Sequence, residues 1–171
     1  MPYYPNIPRY APFYVQADTD VNAVNLLTAY GAIVKAHDYP MTRTPKAPYK
    51  NEWHDENGDD EYLGGGLFFE SFTFKVDCVM LIDRTDSESA RETLLNQVKA
   101  LQSKLCAGEF KIYDSWTRFG FRKVRVNSFP MPSREDFKSL GNRARLFFSI
   151  EFKVNDPVTR MKMQGLKIIE A

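Results

Sequence analysis

The residues able to carry chemistry in this chain are few, and their spacing argues against most of it. Histidine occurs twice, at His37 and His54, and cysteine twice, at Cys78 and Cys106. None falls in an HxH, HxxxH or HExxH pattern, whereas a zinc site takes three or four ligands at suitable spacing. Cys78 sits in an alternating apolar stretch and reads as a core residue, and Cys106 reads as half-buried near a helix end. The GxSxG, GxxxxGK[ST] and GxGxxG patterns are absent. Gly64, Gly65 and Gly66 follow a loop and precede a strand, so they read as a flexible joint. A phosphate cradle needs a helix start after its glycines.

The acidic stretch is the other candidate. Asp55, Asn57, Asp59 and Glu61 fall at every second position, like the opening of a calcium loop. That loop requires Gly at its sixth position and Glu at its twelfth. Here those positions hold Asp60 and Gly66, and no helices flank them. Asn57 and Gly58 suit a hairpin tip, where both central residues take positive φ. The expectation is a solvated acidic tip, with no catalytic residue, no cofactor and no metal.

Charge placement says more than net charge. Lys plus Arg is 23 and Asp plus Glu is 22, a formal net charge of +1, which argues against a generic nucleic-acid coat. Yet residues 51–92 hold 12 acidic and 3 basic side chains, and residues 118–145 hold 8 basic and 2 acidic. Segregated charge suits head-to-tail contacts between identical copies, and such contacts close into rings. The candidates for a subunit contact or a lumen are Trp53, Asp55, Glu56, Asp59, Asp60 and Glu61 on the acidic side. On the basic side they are Arg118, Arg122, Lys123 and Arg125. The same four basic residues are the only short nucleic-acid footprint, and they lack the aromatic pattern of an RNA-binding sheet. A carbohydrate-binding module is an alternative of another class, with Trp53, Tyr62 and Trp116 as its exposed rings.

The elements that must position these residues follow from periodicity. Residues 1–14 hold four of the ten prolines and four of the nine tyrosines. Proline fixes φ and removes donors, so residues 1–17 read as an extended arm. Tyr3, Tyr4, Tyr10, Phe13 and Tyr14 are its docking rings. A short helical start near residues 20–27 leads to a strand at 32–36. Residues 40–66, rich in Pro and then in acid, read as one long exposed excursion, and loops of that length are usually functional or disordered.

In 70–82, Phe72, Phe74, Val76, Cys78, Met80 and Ile82 alternate with polar residues, the signature of a half-buried strand. Residues 86–107 form the one long helix, with Ala90, Leu94, Val98, Leu101 and Leu105 as its apolar stripe. Gly108 ends it. A hairpin over 109–127 and a polar connector over 130–142 precede the last strong strand, 143–154, which Asp156-Pro157 stops. A short strand at 166–169 closes the chain. The domain proper is 18–157 and residues 158–171 are a C-terminal extension.

The fold class is mainly β (α+β). It is an antiparallel β-sandwich or split barrel with one flanking α-helix. At 171 residues the chain is long enough for one domain with a real core. No apolar run approaches the ~20 residues of a membrane span, so no membrane partner is expected. The first residues lack the pattern of a signal peptide. Two cysteines point to a reducing compartment.

The order of the segments also carries a resemblance. LLTAYGAIVKAHDYP is followed by a Pro-rich stretch and NEWHDENGDDEY. Then come FESFTFKVDCVML, LLNQVKALQSKLCAGEFKIYD, GFRKVRV and ARLFFSIEFKVNDP. Over residues 20–157 this resembles the ring-forming N-terminal domain of phage distal tail proteins, which share their fold with tail-tube proteins. The resemblance implies a non-enzymatic virion protein assembled in the bacterial host cytoplasm. It implies a homo-oligomeric ring, a hexamer, that joins the tail tube to baseplate or tip proteins. DNA would pass through the lumen without specific binding. A major tail-tube, tail-terminator or completion protein is the alternative within the class. Many members carry a further C-terminal carbohydrate-binding-like domain, so a chain ending at Ala171 reads as a minimal version.

Overall fold

The computed structural model describes residues 11–40, 42–46, 49–51, 60–62, 68–83 and 87–171, with the backbone alone at 49–51, 60–62, 87 and 140. The chain runs through β1 (Phe13–Ala17), β2 (Val24–Asn25), α1 (Leu26–Tyr30), β3 (Ala32–His37), β4 (Tyr49–Asn51) and β5 (Asp60–Tyr62). It continues through β6 (Phe72–Asp83), α2 (Ser87–Leu105), β7 (Phe110–Asp114), β8 (Phe119–Ser128), a 3-10 turn (Arg134–Asp136) and β9 (Phe137–Leu140). It ends in β10 (Arg143–Gln164) and β11 (Lys167–Glu170). The protein is a mostly antiparallel, β-rich α+β fold.

One nine-stranded sheet runs in the order β2-β1-β7-β8-β10-β6-β3, and β9 and β11 also pair with β10. Its centre is the β6–β10 ladder, in unbroken antiparallel register from Phe72↔Val154 to Asp83↔Arg143. Period-2 alternation fixes that register, since a slip of one residue would turn every apolar side chain to water. Phe74, Val76, Cys78 and Met80 on β6 are buried with Leu146, Phe148, Ile150 and Phe152 on β10. Against this face lies the α2 stripe of Ala90, Leu94, Val98, Leu101 and Leu105, none more than 1% exposed. The sequence expectation holds for the α2 stripe and the middle of the β6 face, while Phe72 and Ile82 at the ends of β6 are half-buried against the core.

The sheet curls. Tyr39, two residues past β3, meets Phe74 at 4.9 Å between ring centroids and Phe119 and Phe121 of β8 at 6.0 Å each. Three strands separate β3 from β7 in the sheet, yet His37 Nε2 lies 4.0 Å from the Asp114 carboxylate at the end of β7. An aromatic cluster therefore fills one mouth of a split barrel.

The structure redraws several expected boundaries. Phe13–Ala17 is extended but is no arm: it pairs with β7 along its whole length, and Phe13 and Val15 are 3% and 2% exposed. Phe13 is thus a core residue, and Tyr14 is half-buried opposite Tyr113. Tyr3, Tyr4 and Tyr10 lie outside the described residues. A second helix is present: α1 is capped by Asn25 Oδ1, which accepts from Leu27 N, and is closed by Gly31 at φ 71°.

The polar connector contains the 3-10 turn and β9, whose Phe137 pairs with Leu146. Asp156-Pro157 does not end the last strand, because β10 runs on to Gln164 through a bulge. A bulge leaves residues unpaired, so proline's missing N–H costs nothing there. Residues 158–171 are accordingly part of the fold, completed by β11. Cys106 is exposed rather than half-buried.

Phe152→Ala should lower the unfolding free energy by about 3–5 kcal/mol in a urea titration, as expected for a large buried aromatic. A loss below about 1 kcal/mol would contradict the burial of Phe152 against Phe74 of β6 and Phe110 of β7.

Candidate functional site

The residues singled out by sequence do not converge. Trp53, Asp55, Glu56 and Asp59, with the Asn57-Gly58 tip, lie outside the described residues. Asp60 and Glu61 stand on β5 opposite Asn51 and Lys50 of β4, so the acidic stretch is bracketed by a two-stranded ribbon. Of the three aromatic carbohydrate candidates, the described side chain is Trp116, 77% exposed in the β7–β8 turn. Arg118 is exposed in the same turn at φ 58°.

Arg122 is not a free cation. Its Nε donates to Asp156 Oδ2 at 2.5 Å and its Nη1 to Glu170 Oε1. Lys123 is exposed at φ 50°, inside a bulge where β8 carries two residues, Arg122 and Lys123, against Lys111 of β7. Arg125 is exposed, directly opposite Lys153 of β10. The expected basic footprint is thus divided between a turn, an internal ion pair and an outward sheet face.

Sequence inspection missed the polar network that bends β10. Asp156 accepts from Val158 N and Thr159 N at 3.0 Å each, from Thr159 Oγ1 at 2.9 Å and from Arg122. These bonds close the bulge, which spans Pro157, Val158 and Thr159 between the pairs Asp156↔Arg122 and Arg160↔Phe121. Beyond it, Met161 and Ile168 of the β10–β11 hairpin are buried at 4% and 1%. Ile168 N donates to the buried Gln16 Oε1 of β1 at 2.8 Å. Burial alone would raise the Asp156 carboxyl; the Thr159 backbone N–H, Arg122, the Thr159 hydroxyl and the Val158 N–H outweigh it and hold the group well below the usual carboxylate range. The only sequence signal was the turn chemistry of Asp156-Pro157-Val158-Thr159.

A second group gathers at the aromatic mouth. The Asp114 side chain, 5% exposed, accepts from Trp116 N and Thr117 Oγ1 at 2.9 Å each. His37 stacks on Tyr39 at 4.1 Å. The Tyr39 hydroxyl and His37 Nδ1 are buried without a hydrogen-bond partner among the described residues. Burial, and behind it the charge on Asp114, pushes the Tyr39 phenol upward. The Cys78 thiol is pushed up to about 12, mainly by burial, so it is held as an inert thiol rather than a nucleophile. Among the described residues no three or more His, Cys, Asp or Glu side chains are placed to hold a metal ion. No helix is long and apolar enough to cross a membrane among them.

No protein-family profile matches the sequence, and no curated protein matches it. A solved structure does: the crystal structure of the Dit (gp 19.1) protein of phage SPP1, described as a paradigm of the hub adsorption apparatus in phages infecting Gram-positive bacteria. The match covers 88% of this chain at a TM-score of 0.53 and 13% sequence identity. The chain shares the fold of a phage tail protein. It spans about half of the matched structure, 52% of its length.

The Asp156 network gives a pH dependence with a definite sign. A depressed carboxylate contributes fully above its ordinary value of 3.8, and that contribution is lost as pH falls through the lower folded value. Wild type should exceed Asp156→Asn in stability near neutral pH, and the gap should close on acidification below 3.8. Paired urea titrations across pH measure this. A gap that widens toward acid would contradict the assignment.

Proposed function

We propose that the chain is a structural subunit of a phage tail, a distal-tail-type protein that forms a closed ring, a hexamer, and performs no reaction. The ring joins the tail tube to baseplate or tip proteins, and DNA crosses its lumen without specific binding. Its site of action is the virion, after assembly in the bacterial host cytoplasm. The observation that carries this reading is the shared fold with the SPP1 hub protein over 88% of the chain.

The segregated charge supports self-assembly. Acidic side chains dominate residues 51–92 and basic ones residues 118–145, so one copy offers a complement to the next. The split barrel supplies rigid strands for such contacts, and the excursion over 40–66 supplies reach. The candidate contacts remain Trp53, Asp55, Glu56, Asp59, Asp60, Glu61, Arg118, Lys123 and Arg125, while Arg122 is committed to the C-terminal hairpin.

A tail-tube or tail-terminator role is the second reading, since tube proteins are expected to share this fold. Mass photometry and negative-stain microscopy separate the two. Discrete rings near six times the 19.8 kDa chain mass are expected. Long tubes would reassign the protein to the tube. A monomer at concentrations on the order of tens of micromolar, where weak contacts between copies saturate, would overturn the ring.

A further inference from the structure

The C-terminal hairpin is bonded mainly to itself. Met161–Gln164 of β10 pair with Lys167–Glu170 of β11, and Ala171 N donates to the Arg160 carbonyl at 3.0 Å. Among the described residues its one ladder pair with the barrel is Arg160↔Phe121. By contrast β6 and β10 pair without a break from Phe72↔Val154 to Asp83↔Arg143. The two apolar side chains that the hairpin buries, Met161 and Ile168, stand outside the continuous apolar core.

The remaining ties to the barrel are polar. Ile168 N donates to Gln16 Oε1 at 2.8 Å, Ala23 N donates to the Leu166 carbonyl at 2.7 Å, and Arg122 Nη1 donates to Glu170 Oε1. The Arg160 guanidinium stands 4.9 Å from the centre of the Phe119 ring. Between the hairpin and the strands beneath it lies a cleft of about 340 Å³. Phe110, Lys111 and Lys123 line it on one side, and Met161, Ile168 and Ile169 on the other. A cleft leaves its walls without packing partners. The close contact of Met161 with Gly120 lies at the root of the hairpin, next to Arg160.

We propose that residues 160–171 are a strap that opens as one unit while the barrel stays folded. Asp156 fixes the root through Val158 N, Thr159 N and Arg122, so opening starts beyond the bulge. Gln16 is the latch. It is buried, and its amide joins the strap to the turn after β1, where Nε2 donates to the Asp20 carbonyl at 3.1 Å. A two-stranded hairpin alone is marginal in water, so the strap loses its own pairing once the latch lets go. Segments with little buried apolar contact occupy the low end of the local stability range. The open form bares Met161, Ile168 and the flank of β1 and β8 that holds Gln16 and Gly120. That is apolar surface which the closed form hides.

Native-state hydrogen exchange on the full chain, resolved residue by residue by NMR, tests this. Amides in the strap should be protected about a hundredfold less than those of Phe74–Met80 and Leu146–Phe152, and evenly along its length. Gln16→Ala should speed exchange in the strap about tenfold, the effect of one lost hydrogen bond, and leave that ladder unchanged. Glu170→Gln removes an exposed tie without touching the core, and should act in the same direction more weakly. Strap amides as protected as the ladder overturn the inference, since the hairpin would then open only with the whole fold. Protection that falls off smoothly along the hairpin overturns it as well, because that is fraying. Equal acceleration of strap and ladder in both variants, or none in the strap in either, does the same.

Discussion

Burial of one apolar seam governs this molecule. Phe148, Ile150 and Phe152 on one strand face Cys78, Val76 and Phe74 on its neighbour, and α2 closes over them with a stripe at most 1% exposed. Each of these side chains stabilises by roughly 1.5–3 kcal/mol when removed from water. Because the seam is continuous over the whole β6–β10 ladder, it fixes the register of the central strands. The outward face is then determined as well. The charges of β8, β9 and β10 stand where they do because their alternate neighbours are inside.

Beyond the seam, polar bonds do what apolar contact cannot. The apolar face has no means of stopping or turning a 22-residue strand. The turn is made by one carboxylate, Asp156, which collects backbone and hydroxyl donors at the bulge and a guanidinium from β8. The second half of β10 can then lie over the other side of β1, β7 and β8, where Gln16 receives it. In the same way Lys104 holds Asp20 at 2.6 Å, tying the turn after β1 to the end of α2. That bond holds the Asp20 carboxyl below its usual range.

Much of the architecture was legible in the residues. Strands β6 and β10, helix α2 and the β7–β8 hairpin announced themselves because alternation and a helical stripe are local patterns with one consistent reading. What was illegible depended on partners far away in sequence. Phe13 looked like an arm ring, since nothing near it shows that β7 will pair with it. Pro157 looked like a stop, since only the Asp156 bonds reveal a bulge. Arg122 looked like a free cation, since its partners lie 34 and 48 positions away. The cluster of His37, Tyr39 and Asp114 needs the curl of the sheet, which no window of sequence contains. Of the basic candidates the sequence supplied the charge, and the strand register placed Arg125 on the outward sheet face.

Gly120 shows how tightly the two layers are engaged. A methyl group placed there would stand 2.6 Å from the Met161 carbonyl oxygen and 2.9 Å from its carbonyl carbon, both backbone atoms with no freedom to retreat. The smallest possible enlargement of that residue is therefore a wedge, driven between the barrel wall and the ribbon laid across it. At this spot the molecule has no tolerance for growth. Its two layers were brought together by leaving a side chain out.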